Sequence, residues 1–108
     1  MTVNRYDYGA VYFVKRHYIF GANWRELNDN ERSQLQSNSG VYITTVVDGT
    51  PAFVNDILPG DIIVKIDGQP VYGAQAASNL LTKKKGQSVN LAIIRNGNVI
   101  QKQVTLSQ

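Results

Sequence analysis

Asn55-Asp56-Ile57-Leu58-Pro59-Gly60-Asp61-Ile62-Ile63-Val64-Lys65-Ile66-Asp67-Gly68-Gln69-Pro70-Val71 carries the densest run of backbone signals in the chain. Leu58-Pro59-Gly60-Asp61 specifies a turn, because Pro pre-sets the first central dihedral and Gly tolerates the positive one that a tight reversal often demands. Residues 61–66 are rich in β-branched side chains and unbroken by Gly or Pro, which predicts a largely buried strand. Asp67-Gly68 is a two-residue hairpin signal, folding that strand back onto residues 69–72.

Working upstream, residues 41–47 (Val-Tyr-Ile-Thr-Thr-Val-Val) have strand composition. Between the two strands, Thr50 is placed to cap a short helix and Pro51 to open it, since its missing N–H costs nothing at the first helical position. Ser37-Asn38-Ser39-Gly40 breaks the chain. Before it, Asn28 with Glu31 three positions on forms a capping-box pattern and predicts another short helix. Downstream, residues 74–85 have helical composition and stop at Gly86. Ala77, Leu80 and Ala76 are expected on the core face of that helix, and Ala74, Ser78 and Leu81 on a neighbouring one. Residues 89–95 and 99–106 flank Asn96-Gly97, a second hairpin signal. The first seventeen residues are ambiguous: residues 10–14 suit a strand, yet Tyr8, Tyr12 and Lys15 also fit one helical face.

Length and composition bound what the chain does. Its 108 residues suit one domain with a single core. There is no cysteine, so disulfides and thiolate metal sites are excluded. No apolar run is long enough to span a bilayer, and the amino terminus lacks the pattern of a signal peptide. The net charge of +3 is a mild surplus. Its one basic run, Lys83-Lys84-Lys85, falls at a helix end, where cations complement the dipole. No aromatic is interleaved with it, so nucleic-acid binding is not indicated.

Catalysis is not indicated either. His17 is the single histidine, and no serine lies in a Gly-x-Ser-x-Gly elbow. Asp48, Asp56, Asp61 and Asp67 occupy separate turns, where such side chains bond nearby backbone, so no metal and no cofactor is assigned. Gly21 lies in Phe20-Gly21-Ala22, which leads into a strand rather than a helix and therefore does not suit a nucleotide loop.

The central stretch resembles the PDZ domain family, whose bacterial members carry a leucine, Pro-Gly-Asp, an apolar strand and an Asn/Asp-Gly hairpin at this place. The likeness covers residues 18–106. It includes Thr50-Pro51-Ala52, similar to the family's Gly-Ser-Pro-Ala-like segment, and the short helix after residue 28 that protease-associated bacterial members carry. The resemblance implies an α+β, mostly β fold. This is a partly open antiparallel barrel or sandwich of five to six strands, capped by two or three short helices, in the circularly permuted bacterial form. Residues 1–17 would then be an extension, an extra strand or a linker, ahead of a domain of residues 18–108.

The same resemblance implies a function. Phe20-Gly21-Ala22 looks like the carboxylate-binding loop of PDZ domains, whose successive N–H groups form an anion nest. A ligand's C-terminal or extended tail would add as a strand along residues 22–27, with the helix of residues 74–84 as the opposite wall. Amides of Phe20, Gly21 and Ala22 would hold the terminal carboxylate. Ile19, Trp24, Ala74, Ser78, Leu80 and Leu81 would line the groove, and Lys15 or Arg16 would add positive potential. Ala22 stands where the family commonly has a larger apolar residue, leaving a pocket that is wider or is filled by Trp24 or Phe20.

The implied partner is therefore a peptide or protein C-terminus, with neither nucleic acid nor membrane insertion. The implied setting is a larger envelope or periplasmic protein, similar to the trypsin-like HtrA/Deg-type proteases, whose catalytic domain is not in this chain. An alternative is an assembly module whose groove is filled by its own residues 2–17 and which docks a partner elsewhere.

Overall fold

The computed structural model describes residues 18–35 and 39–107. Expectations for residues 1–17 and 36–38, including Lys15, Arg16, His17 and a self-occupied groove, lie outside them. In chain order the elements are β1 (Ala22–Glu26), α1 (Asp29–Leu35), β2 (Val41–Val46), α2 (Pro51–Val54), β3 (Ile62–Ile66), β4 (Gln69–Pro70), α3 (Ala74–Lys83), β5 (Ser88–Arg95) and β6 (Asn98–Thr105). The strands form one antiparallel sheet in the order β1-β2-β3-β5-β6, with β4 paired to β3. It is an open six-stranded sheet with three short helices.

Local chemistry sets the joints. Asp67 and Gly68 have φ of 51° and 80°, and Asn96 and Gly97 of 52° and 77°. These are the left-handed pairs that a two-residue hairpin requires. The second hairpin zips from Arg95↔Asn98 to Ser88↔Thr105. The capping box is formed in both directions: the Glu31 amide donates to Asn28 Oδ1 at 2.8 Å, and the Asn28 amide to Glu31 Oε1 at 2.9 Å. Thr50 caps α2, its hydroxyl accepting from the Phe53 amide, and Pro51 opens that helix.

Three expectations are corrected. The strand of residues 69–72 pairs only at Gln69 and Pro70. Val71 keeps one bond to β3, its amide donating to the Val64 carbonyl at 3.1 Å, but its carbonyl accepts from the Gly40 amide at 2.6 Å and its side chain is fully buried, so the ladder goes no further. The helix of residues 74–85 ends at Lys83. The Lys84 and Lys85 amides reach back to Leu81 and Thr82, tightening the turn, while the Gly86 amide goes to Ser107 at 3.1 Å. Finally, the core face of α3 is made by Ala77 and Leu81, and Leu80 is only partly buried. Ala74, Ala77 and Leu81 follow one i, i+3, i+7 stripe, and that stripe faces the sheet.

The core is built from Val41, Ile43, Ile63, Ile66, Val89, Leu91, Ile93 and Val104 on the sheet. Ala52 of α2, Ile57, Val71 and the α3 pair close it. Each fully buried Ile or Leu stabilises the fold by about 1.5–3 kcal/mol relative to exposure.

Among the described residues, one charged side chain lies inside. Asp61, 2% exposed, accepts from Arg95 Nε at 2.8 Å, from Arg95 Nη2 at 2.6 Å and from the Leu58 amide at 2.9 Å. Arg95 Nη2 also donates to the Asp56 carbonyl at 2.7 Å. The hydrogen bond to Asp61 raises the Arg95 pKa further above its ordinary value.

Candidate functional site

β1 ends the strand path, and the direction of its backbone groups follows from the register. In an antiparallel ladder, residues alternately turn their N–H and C=O groups toward and away from the neighbour. The Val47 amide donates to the Gly21 carbonyl at 2.8 Å, so the residue after Gly21 turns away from β2. Ile43, opposite Trp24, gives its own amide to Asp61 and its carbonyl to Gly60 on the far side, which fixes the same phase. The register shift between Asn23 and Trp24 is absorbed by β2, which leaves Thr44 unpaired with its hydroxyl on the Asn23 carbonyl at 3.2 Å. Backbone groups of Ala22 and Trp24 therefore point to the outer edge of the sheet. Among the described residues, no strand pairs there.

The loop entering β1 is anchored from behind, one carbonyl at a time. The Ile19 carbonyl accepts from the Ser107 amide at 3.1 Å, the Phe20 carbonyl from the Ala52 amide at 2.8 Å and the Gly21 carbonyl from the Val47 amide at 2.8 Å. In a planar trans peptide the C=O of one residue and the N–H of the next point in opposite directions. Anchoring those three carbonyls thus turns the amides of Phe20, Gly21 and Ala22 away from their anchors. Gly21 has φ of 98°, and a Cβ added there would lie 2.1 Å from Thr50 Cβ and Oγ1, so only glycine fits.

The groove residues fall into two groups. Phe20 and Leu81 are 4% and 3% exposed and belong to the core, whereas Ile19, Ala22, Trp24, Ala74 and Leu80 are partly buried against it. Ser78 is half-buried on α3. Trp24 packs on Phe20 with ring centroids 6.1 Å apart and tilted by 42°. Alternation along β1 puts Ala22 and Trp24 on the same face, toward Phe20.

Two charged residues not singled out in the sequence hold the edges of this site. Glu26 Oε2 accepts from the Ala74 amide at 2.9 Å, tying the N-terminus of α3 to the end of β1. A hollow of about 540 Å³, lined by Glu26, Asp29, Arg32, Tyr72 and Gly73, opens there. On the other face of β1, Arg25 makes a two-pronged pair with Glu31 at 2.9 and 3.0 Å and lies 3.9 Å over the Tyr42 ring. The Glu26–α3 contact spans 48 residues and left no local pattern to read. The Arg25–Glu31 pair was foreshadowed only by the capping box that fixes Glu31.

This arrangement is a strand edge beside a helix, headed by a loop of outward amides. It defines the PDZ class of domain. A profile of the PDZ domain family matches residues 18–106, and the chain belongs to that family. Among its relatives is the serine protease Do-like HtrA of Bacillus subtilis, 36% identical over 75 residues, which cover 68% of this chain and 17% of that protein. The periplasmic pH-dependent serine endoprotease DegQ of Escherichia coli is 30% identical over 73 residues, covering 67% of this chain and 15% of that protein. The HtrA3 PDZ domain bound to a phage-derived ligand (FGRWV) has the same fold. Its TM-score is 0.72 at 20% identity, over 83% of this chain and 85% of that one. The match thus spans less than a fifth of either protease.

Proposed function

We propose that residues 18–106 bind the C-terminal tail of a peptide or protein by strand addition along β1. The amides of Phe20, Gly21 and Ala22 take the carboxylate, and the backbone of Ala22 and Trp24 pairs with the tail. Ile19, Trp24, Ala74, Ser78, Leu80 and Leu81 shape the groove between β1 and α3. Lys15 and Arg16 are assigned auxiliary positive charge on the resemblance alone. The observation that carries the reading is the rearward anchoring of the carbonyls of Ile19, Phe20 and Gly21. Three successive amides aimed away from the fold suit an anion, and a strand edge beside them on which none of the described residues pairs suits an extended chain.

Within a longer protein, this module would serve as the substrate-recognition or regulatory part of an envelope serine protease, in the periplasm or an equivalent compartment. That setting is supported by the named relatives, of which only the PDZ portion is matched.

Titration of the 15N-labelled domain with free-acid C-terminal peptides and their amidated twins tests the tail reading. Amide signals of Phe20, Gly21 and Ala22 are expected to move with the acids and not with the amides. Equal response to both, or none, overturns it.

A further inference from the structure

Thr50 sits behind the loop and touches it in two ways. Its hydroxyl is 2.7 Å from the Val47 carbonyl and 3.5 Å from the Gly21 carbonyl, and it accepts from the Phe53 amide at 3.4 Å. A hydroxyl has one proton, and the shorter contact assigns it to Val47. The same Val47 holds the Gly21 carbonyl through its amide. Thr50 therefore pins one side of the Val47 residue, and Gly21 hangs from the other. Its Cβ, Oγ1 and Cγ2 also fill the space where a Gly21 side chain would stand, at 2.1, 2.1 and 2.5 Å from an added Cβ. Thr50 is 6% exposed, so it does not itself reach a ligand in the groove. Two residues on, the Ala52 amide anchors the Phe20 carbonyl. The cap of α2 and the back of the loop are thus one hydrogen-bonded unit.

We infer that Thr50 is a positioning residue for carboxylate recognition: its hydroxyl, through Val47 and the Gly21 carbonyl, sets the direction in which the Ala22 amide points. The inference rests on the tail reading above and adds to it the buried side chain on which the loop's selectivity for a free carboxylate depends. It distinguishes two parts of one side chain. The methyl and Cβ fill space behind Gly21, and the hydroxyl fixes orientation. Thr50→Val keeps the shape and removes the hydroxyl, whereas Thr50→Ser keeps the hydroxyl and removes the methyl.

The test measures the ratio of affinities for free-acid and amidated forms of one randomised C-terminal pentapeptide library, with thermal unfolding of each variant alongside. Thr50→Val is expected to reduce the acid-over-amide preference by about three- to tenfold, the worth of one hydrogen bond. Thr50→Ser should keep the preference within about twofold of the parent, even where it lowers the melting temperature by as much as Thr50→Val. A Thr50→Val protein that is folded and keeps the parent's preference overturns the inference while leaving the tail reading intact. A parent with no acid preference overturns both. If Thr50→Val is unfolded at the assay temperature, Thr50→Ala is compared with Thr50→Ser at lower temperature, since those two differ only in the hydroxyl, and equal acid-over-amide ratios overturn the inference.

Discussion

Two turns on this molecule use the same ingredients to opposite ends. At Leu58–Asp61, a Pro-Gly-Asp reversal buries a carboxylate and surrounds it with donors: two guanidinium nitrogens of Arg95 and the Leu58 amide. At Ile19–Ala22, the carbonyls are anchored to Ser107, Ala52 and Val47, and the amides are turned away. The first turn supplies its own anion to its own donors. The second arranges donors, and on the proposed reading a ligand supplies the anion. A buried polar group without a partner is costly, so the first turn serves stability. On the proposed reading the second turn serves binding, since amides at a surface can exchange water for a ligand's oxygens at little cost.

The largest effect that separates the two turns is expected at Arg95. Arg95→Ala leaves Asp61 buried without its charged partner, which costs about 3 kcal/mol or more and lowers the melting temperature by roughly 15 °C. Asp61→Ala in the same background should cost less than it does alone, because no stranded carboxylate remains. A thermodynamic cycle over the four proteins measures that coupling, and additive losses would show that the pair does not act as a unit. The preference for free-acid peptides is expected to survive in the folded fraction.

Gly21→Ala is expected to do the reverse, removing ligand recognition at a smaller cost in stability. A left-handed φ and the Thr50 contact make alanine strained there, a penalty of about 1–3 kcal/mol. Relief of that strain moves the loop, so the acid-over-amide preference should vanish. Retention of full preference would place the anion site elsewhere.

The contrast also explains what the sequence made legible. The stability turn announces itself: Pro59, Gly60 and Asp61 are each demanded by local backbone chemistry, as are the hairpins at Asp67-Gly68 and Asn96-Gly97 and the caps at Asn28 and Thr50. The recognition loop carries one such signal, Gly21, flanked by ordinary apolar residues, and its reading needed the family likeness. Arg95 was not legible as the partner of Asp61, because 34 residues separate them and any cation near the sheet would look alike in sequence. The reversal of Leu80 and Leu81 has a similar cause. On a short helix with alanines on several sides, the stripe that faces the sheet is chosen by tertiary packing rather than by periodicity.

A weaker tie sharpens the comparison at the groove's other end. Glu26 receives the Ala74 amide at the first turn of α3, and a Cβ added at Gly73 would lie 3.1 Å from its carboxylate. Glu26→Gln keeps the acceptor and removes the charge, which is expected to cost about 0.5–1 kcal/mol. If α3 is one wall of the groove, as proposed, peptide affinity should fall for acids and amides alike, leaving their ratio unchanged. A changed ratio would mean that α3 placement, and not the loop alone, sets carboxylate selectivity.

The smallest effect concerns the outer face of β1, where Arg25 joins β1 to α1 through Glu31. Hydrogen bonding to Arg25, and then to the Asn28 amide, holds the Glu31 carboxyl below its ordinary range. The folded protein therefore binds this proton more weakly than the unfolded chain. The stabilisation is complete above the unfolded value of about 4.3 and is lost as pH falls through the lower, folded value. Urea unfolding between pH 7 and pH 3 is expected to show this loss in the parent and a flatter profile in Glu31→Gln. The difference should shrink in high salt, as it does for any partly exposed pair. Identical slopes for both proteins would show that the Arg25–Glu31 contact carries no linkage. Strand and helix would then be joined by the capping box and by the stacking of Arg25 on Tyr42. Every other carboxylate titrates in both proteins, so the difference between the two profiles reports on Glu31 and on the joint between β1 and α1.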